Sequence, residues 1–138
     1  MTKKEKIKYL TQYIESKRRF YALSDEMERI RSEAMRITQF ITDMPGATSF
    51  NDKIANAVEN LVMCVDMMEH ESEVMRSSMK KVKSAIETIS DASLQEILIR
   101  KYINDLSFTE IAIIMHYCTK QISRKHLLAL EMIQIPED

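Results

Sequence analysis

The sequence predicts an all-α protein: a long antiparallel helical hairpin, packed like a coiled coil, followed by a three-helix domain with a helix-turn-helix. Three observations predict this fold. The 138 residues include one glycine and two prolines, and so few turn-forming residues favour long helices. Apolar residues recur every three or four positions over much of residues 1–90. Helix-start signals then follow one another closely within residues 91–138.

The longest apolar repeat lies in the middle of the chain and predicts the second helix of the hairpin. Its spacing alternates between four and three residues without a break. A repeat of this kind is typical of a helix buried along a narrow seam, here about 50 Å long. The predicted seam comprises Ile54, Val58, Leu61, Val65, Met68, Ser72, Met75, Met79, Val82, Ile86 and Ile89.

The same alternation predicts the first helix, with a change of phase within residues 17–23 where the seam rotates. The glycine stands beside the first proline, at Pro45 and Gly46, and this single short turn predicts that the two helices run antiparallel. Asn51 or Asp52 is the predicted N-cap of the second helix. The first seam comprises Ile7, Leu10 and Ile14, then Leu23, Met27, Ile30, Ala34, Ile37, Ile41 and Met44.

The character of the sequence changes after residue 90, which predicts a hairpin in residues 1–90 and a separate domain in residues 91–138. Asp91 and Ser93 are helix-start signals, and Ser93 with Glu96 fits a capping box. Ser107 and Glu110 form a second capping box before a brief helix that ends near Met115. A third helix should run to about Gln134.

A tight corner separates the last two helices and predicts that the third helix projects outward. Ile111, Ala112 and Ile122 are the predicted contacts between the two helices.

The exposed start of the third helix is rich in cations and hydroxyl groups, which favours binding to double-stranded DNA. A helix placed this way enters the major groove, with base edges at its first turns and phosphate near its amide end. Gln121 is suited to adenine and Lys120 or Arg124 to guanine. Thr109, at the start of the preceding helix, is suited to a phosphate. The predicted DNA-binding residues are Thr109, Thr119, Lys120, Gln121, Ser123, Arg124 and Lys125.

Residues 98–130 resemble the region-4 DNA-binding domain of sigma-70-type transcription factors. The matching residues are Arg100-Lys101-Tyr102, Leu106-Ser107, Glu110-Ile111-Ala112, Ile122 and Ala129-Leu130. His116 stands where the family usually has glycine, so the resemblance implies a positive φ there, which costs a non-glycine residue free energy. Cys118 replaces the family's usual serine or threonine N-cap, and because cysteine is a poor cap, Thr119 is an alternative cap. Residues 41–55 after a basic segment resemble small regulators of Gram-positive phages and prophages, the late-gene activators of the ArpU and RinA type. The resemblance, which covers about the last 45 residues with its specific motif, implies a phage-type transcription regulator.

Composition sets limits on other functions. The net charge is −1, so the chain as a whole is not a polycation, although its local charge permits nucleic-acid binding. Cys64 and Cys118 fit no zinc-site spacing and indicate a reducing, cytoplasmic setting. No apolar stretch is long enough to predict a membrane span. One glycine excludes a glycine-rich phosphate loop, and we expect no enzyme activity, metal or other cofactor.

Several alternatives remain open on the sequence alone. The cations from Lys120 to Lys125 fit an ordinary solvated face as well, although their place in the motif favours DNA. A non-DNA-binding interaction protein that acts on RNA polymerase and a small-terminase-like DNA-packaging subunit also combine such elements. Met63 and Met67 lie off the seam, where a partner helix or a second subunit would cover them, so a homodimer through the hairpin is a further prediction.

Overall fold

The computed structural model is all-helical over the residues it describes, 1–43 and 49–136, with side chains described outside residues 40–51. This confirms the predicted all-α class. The predicted turn at Pro45 and Gly46 lies outside the described residues. The described helices are α1 (Lys3–Asp43), α2 (Ser49–Ile86), α3 (Ala92–Tyr102), α4 (Phe108–Met115) and α5 (Thr119–Met132).

One helix start differs from the prediction, and at another the structure confirms Asp91 rather than Ser93 as the start signal. Residue 49 is already helical, so Asn51 and Asp52 lie inside α2 and the predicted cap there is wrong. Helix α3 is capped by Asp91, whose Oδ1 accepts hydrogen bonds from the amides of Ser93 at 2.8 Å and Leu94 at 3.1 Å. The Ser93 capping box is therefore also wrong, because an aspartate two positions earlier already satisfies these amides.

The chain forms two compact units, and each contains part of both long helices. Unit 1 comprises residues 1–16 and 74–138, and unit 2 comprises residues 17–73. These units divide the chain elsewhere than at residue 90, so the domain boundary predicted there stays a prediction. No helix among the described residues is long and apolar enough to cross a membrane.

Unit 1 contains two apolar clusters. One lies among the last three helices, and the other joins α3 and α5 to the start of α1 and the end of α2. The smaller cluster holds α3, α4 and α5 together through Ile97, Ile111, Ala112 and Ile122, which confirms the predicted inward face of the helix-turn-helix. The larger cluster adds residues of α1 and α2 to α3 and α5. Its buried members include Leu10, Ile14, Val82, Ile86, Leu94, Leu98, Tyr102, Ala129, Leu130 and Ile133.

In unit 2 the two helices run antiparallel, but the seam of α2 departs from the predicted one at two positions. Arg19 lies against Glu71, and the Cys64 thiol donates to the carbonyl oxygen of Leu23 at 3.3 Å. Ala57 and Cys64 are buried, at 8% and 4% exposure, whereas Val58 and Val65 are 53% and 37% exposed. The prediction that Val58 and Val65 lie in the seam is therefore wrong.

The physical reason is the size of the side chains. Alanine and cysteine let two helix backbones approach more closely than valine does, so the smaller residues occupy the contact. Val58, Val62 and Val65 are left as an exposed apolar stripe along α2, with the 4-then-3 spacing of a second seam. We call these three residues the valine stripe.

Candidate nucleic-acid interface

The corner between α4 and α5 is a left-handed turn at His116. This residue has φ 60° and ψ 40°, as the sequence predicts. The amide of Tyr117 then donates to the carbonyl oxygen of Ala112 at 3.0 Å, which satisfies an acceptor at the end of α4. The turn redirects the chain so that only three residues separate the end of α4 from the start of α5 at Thr119.

We expect His116→Gly to raise the free energy of unfolding by up to about 1 kcal/mol. Glycine adopts this backbone conformation without the steric cost that a Cβ atom imposes, and the exposed His116 side chain contributes little packing. Thermal unfolding followed by circular dichroism would measure the change. A clear fall in melting temperature would contradict the strained-turn assignment.

Helix α5 begins with Cys118 as its N-cap, so the alternative cap at Thr119 is wrong. Cys118 has an extended backbone, with φ −82° and ψ 157°, and Thr119 is the first helical residue. The Gln121 side chain accepts a hydrogen bond from the Cys118 amide at 3.1 Å through its Oε1 atom. Gln121 therefore performs the capping role of the third helical position, and this bond holds its side chain at the start of α5.

The predicted contact residues of α5 separate into an exposed group and a group held in the fold. Thr119, Lys120, Gln121 and Arg124 are exposed, and Ser123 is half-buried. Lys120 and Arg124 are four residues apart and lie on one face, away from the fully buried Ile122. Among the carboxylates whose side chains the structure describes, none forms an ion pair with either cation.

Lys125 does not join this exposed face. Its Nζ atom donates to the Ser93 hydroxyl at 3.2 Å and to the Tyr117 hydroxyl at 3.4 Å. The same atom lies 4.5 Å from the centre of the Tyr117 ring, within the range of a cation–π contact. The half-buried Lys125 therefore ties α5 to the start of α3 and to the corner.

Thr109 lies in the first turn of α4, where the sequence places it. It is exposed, and the cap before it is the predicted Ser107–Glu110 box. The Ser107 hydroxyl accepts from the Glu110 amide at 3.2 Å, and the Glu110 carboxylate accepts from the Ser107 amide at 3.3 Å. The negative charge of that carboxylate would repel a phosphate at Thr109. Lys101, whose Nζ atom lies 4.7 Å from the centre of the Phe108 ring, adds positive charge beside the same turn.

A buried histidine fixes α5 against α3 and α4. The Nε2 atom of His126 lies 2.7 Å from the Tyr102 hydroxyl, and the edge of the Phe108 ring is packed at a centroid distance of 5.0 Å. Burial lowers the pKa of His126 to about 4, with smaller contributions from the ammonium groups of Lys101 and Lys3. Burial also raises the pKa of Tyr102 to about 12, so both side chains are neutral near pH 7.

Sequence reasoning missed two features of this surface. Leu127 and Leu128 are exposed on α5, as are Ile113 and Ile114 on α4. The start of α1 also packs against α5, where the Nζ atom of Lys6 donates to the carbonyl oxygen of Leu130 at 2.7 Å. The sequence predicts a packed helix here through Ile7, Leu10 and Ile14, but no local pattern indicates that α5 is its partner.

The comparisons with known proteins add no identification. No protein-family model, curated protein or solved structure matches the chain. Among the described residues, no cluster of histidine, cysteine, aspartate or glutamate side chains is suited to hold a metal ion.

Proposed function

We propose that the chain is a sequence-specific DNA-binding regulator of transcription, of the phage or prophage type, that inserts the start of α5 into the major groove. The observation that carries the proposal is that Lys120 and Arg124 are exposed and form no ion pair with a described carboxylate, on a helix that Ile122 anchors in the smaller cluster. Charged groups without protein partners are free to bind phosphate or guanine. The resemblance of residues 98–130 to sigma region 4 supports the same function.

The contacts of α5 divide by chemistry. Lys120 and Arg124 are suited to guanine O6 and N7 or to phosphate, and Thr119 to phosphate near the helix start. Gln121 is suited to adenine. Lys125 supports the position of α5, so we expect its loss to act through stability. The protein then works in the cytoplasm and without catalysis.

The test is a fluorescence anisotropy titration of the full chain with duplex DNA at low and moderate salt. We expect Lys120→Ala with Arg124→Ala to weaken binding about tenfold or more and to reduce the salt slope by about 2, since each lost phosphate contact releases about one counterion fewer. Lys80→Ala with Lys81→Ala is the matched control, because these exposed lysines lie on α2. Binding that depends equally on both pairs would contradict the proposal.

One helix-turn-helix makes few phosphate contacts, so we propose that affinity comes from a homodimer through the hairpin or from RNA polymerase. The valine stripe supports the homodimer, because unit 2 leaves this apolar row without a partner among the described residues. A second copy whose α2 packs on the same row would cover it symmetrically.

The exposed leucines favour one other candidate, an interaction protein that acts on RNA polymerase without binding DNA. Leu127 and Leu128 follow Arg124 on the outward side of α5, and exposed leucine is more typical of a protein contact than of a DNA contact. Leu128→Ala separates the two. The interaction protein is favoured if the unaltered chain binds polymerase but not DNA, and if Leu128→Ala loses polymerase binding. A ring-sized mass in light scattering would instead favour a small-terminase-like subunit.

A further inference from the structure

The first turn of α1 is an ordered part of unit 1. The Thr2 amide donates to Glu5 at 3.0 Å, and the Glu5 amide donates to the Thr2 hydroxyl at 3.2 Å, which is a capping box. Lys6 then binds the carbonyl oxygen of Leu130, near the end of α5. This contact fixes where the start of α1 lies relative to α5.

Lys3 lies on the side of α1 that faces α5. Lys3, Lys6 and Leu10 are spaced three and four residues apart, which places them on one helix face, and Leu10 is fully buried against the larger cluster. Lys3 and Lys6 line one cleft together with Leu130 and Glu131. Lys3 is also one of the charges that lower the pKa of His126, in agreement with this placement.

The neighbouring lysines of α1 lie on other sides of the helix than Lys3 and can be compared with it. Lys4 lies about 100° and Lys8 about 140° around the helix from Lys3, and both are exposed. Lys6 is half-buried and already engaged by Leu130. Lys3 is exposed and forms no ion pair with any carboxylate in the described part of the chain.

Lys3 lies beside the later part of α5, next to Leu130, which is about 120° around that helix from Arg124. Leu130, which shares the cleft with Lys3, is six residues after Arg124, or about 9 Å along the helix. The major groove is about 12 Å wide, so a side chain at this distance lies near a phosphate strand that borders the groove. From this geometry we propose that Lys3 binds a DNA phosphate beside the groove that α5 occupies.

This inference rests on the proposed function and adds α1 to the interface. A helix from the start of the chain then contacts the same duplex as the helix-turn-helix near its end, which fixes the angle at which α5 enters the groove. Glu131, in the same cleft, repels the phosphate that Lys3 attracts. Its neutralisation should therefore have the opposite effect to the loss of Lys3.

The experiment measures DNA binding by the full chain as a function of salt for three single variants. We expect Lys3→Gln to weaken binding roughly threefold and to reduce the salt slope by about 1. Lys4→Gln removes the same charge from the same helix and should leave the slope nearly unchanged. Glu131→Gln should strengthen binding. Circular dichroism checks that each variant stays folded, which we expect because all three side chains are exposed.

The outcomes separate this inference from the proposed function. Equal slopes for Lys3→Gln and Lys4→Gln, with binding still dependent on Lys120 and Arg124, would overturn the role of Lys3 alone. An unaltered chain that binds no duplex would overturn both. A loss of slope that is confined to Lys3→Gln would support the phosphate contact.

Discussion

Acidification from pH 7 to about pH 4.5 is expected to lower the free energy of unfolding by about 2 kcal/mol through His126 alone. This side chain is 6% exposed and bonded to the Tyr102 hydroxyl. Its pKa is about 4 in the folded protein, against the ordinary value of 6.5, because burial and the nearby Lys101 and Lys3 disfavour the imidazolium.

The sign follows from proton binding in the two states. Above pH 6.5 the histidine is neutral in both states, and its contribution to stability is fully present. Between pH 6.5 and about 4 the unfolded chain binds a proton that the folded chain does not, so stability falls as the pH falls. The full pKa difference sets an upper limit on the stability that His126 loses, and solvent screening at His126 makes the expected loss smaller than this limit.

Urea unfolding at several pH values would measure this loss. Tyrosine fluorescence is a suitable signal, since four of the five tyrosines, Tyr9, Tyr13, Tyr102 and Tyr117, belong to unit 1. His126→Gln should flatten the dependence between pH 6.5 and 5, where few carboxylates titrate, whereas replacement of the exposed His70 by glutamine should preserve it. An unaltered chain with equal stability at pH 7 and pH 5 would contradict the account.

The seam of α2 shows where the sequence predicts the fold and where it does not. The repeat correctly predicts a long helix, and in α1 the predicted positions Leu23, Met27 and Ile30 are half-buried. In α2 the repeat wrongly predicts that Val58 rather than Ala57 is buried, because a hydrophobicity pattern favours the larger apolar residue. The distance between two helix backbones is a tertiary property, and it is this distance that selects alanine and cysteine.

The candidate interface divides in the same way. The capping box at Ser107 and the positive φ of His116 depend on neighbouring residues, and the sequence predicts both. Lys125 looks like an exposed cation because its partner Ser93 is 32 residues away in the chain. The contact of Lys6 with Leu130 spans 124 residues and is equally invisible to local patterns. Sequence therefore predicts the motif, while packing decides which of its cations are available.

Replacement of Val58 and Val62 by glutamate is expected to convert a dimer into a monomer. The two valines form the first part of the valine stripe and are exposed in the single chain, so charge there is tolerated by the fold but excluded from an apolar helix–helix contact. Light scattering should give about twice the chain mass of 16.2 kDa for the unaltered protein and the chain mass for the variant.

The matched control is Met63→Glu with Met67→Glu, which adds the same charges at the same spacing to another side of α2. These methionines are exposed, and Met67 lines an open groove with Arg19 and Glu71, so the added charges lie away from the valine stripe. The sequence alone predicts the second subunit on these methionines, whereas the exposure of the valine stripe favours the other side of α2, so we expect this variant to stay dimeric. Two results would contradict the assignment of the valine stripe as the dimer interface. One is a dimer that only the methionine changes separate, and the other is an unaltered chain that is monomeric at tens of micromolar.

The same pair of variants tests whether dimerisation supplies DNA affinity. Two linked helix-turn-helix units on one long duplex bind at an effective concentration that raises affinity by about 100-fold or more over a single unit. The valine variant should therefore lose about that much affinity although Lys120 and Arg124 are intact, and the methionine variant should lose little. If the valine variant binds DNA as tightly as the unaltered chain, affinity does not come from the dimer, and a contact with polymerase becomes the better explanation.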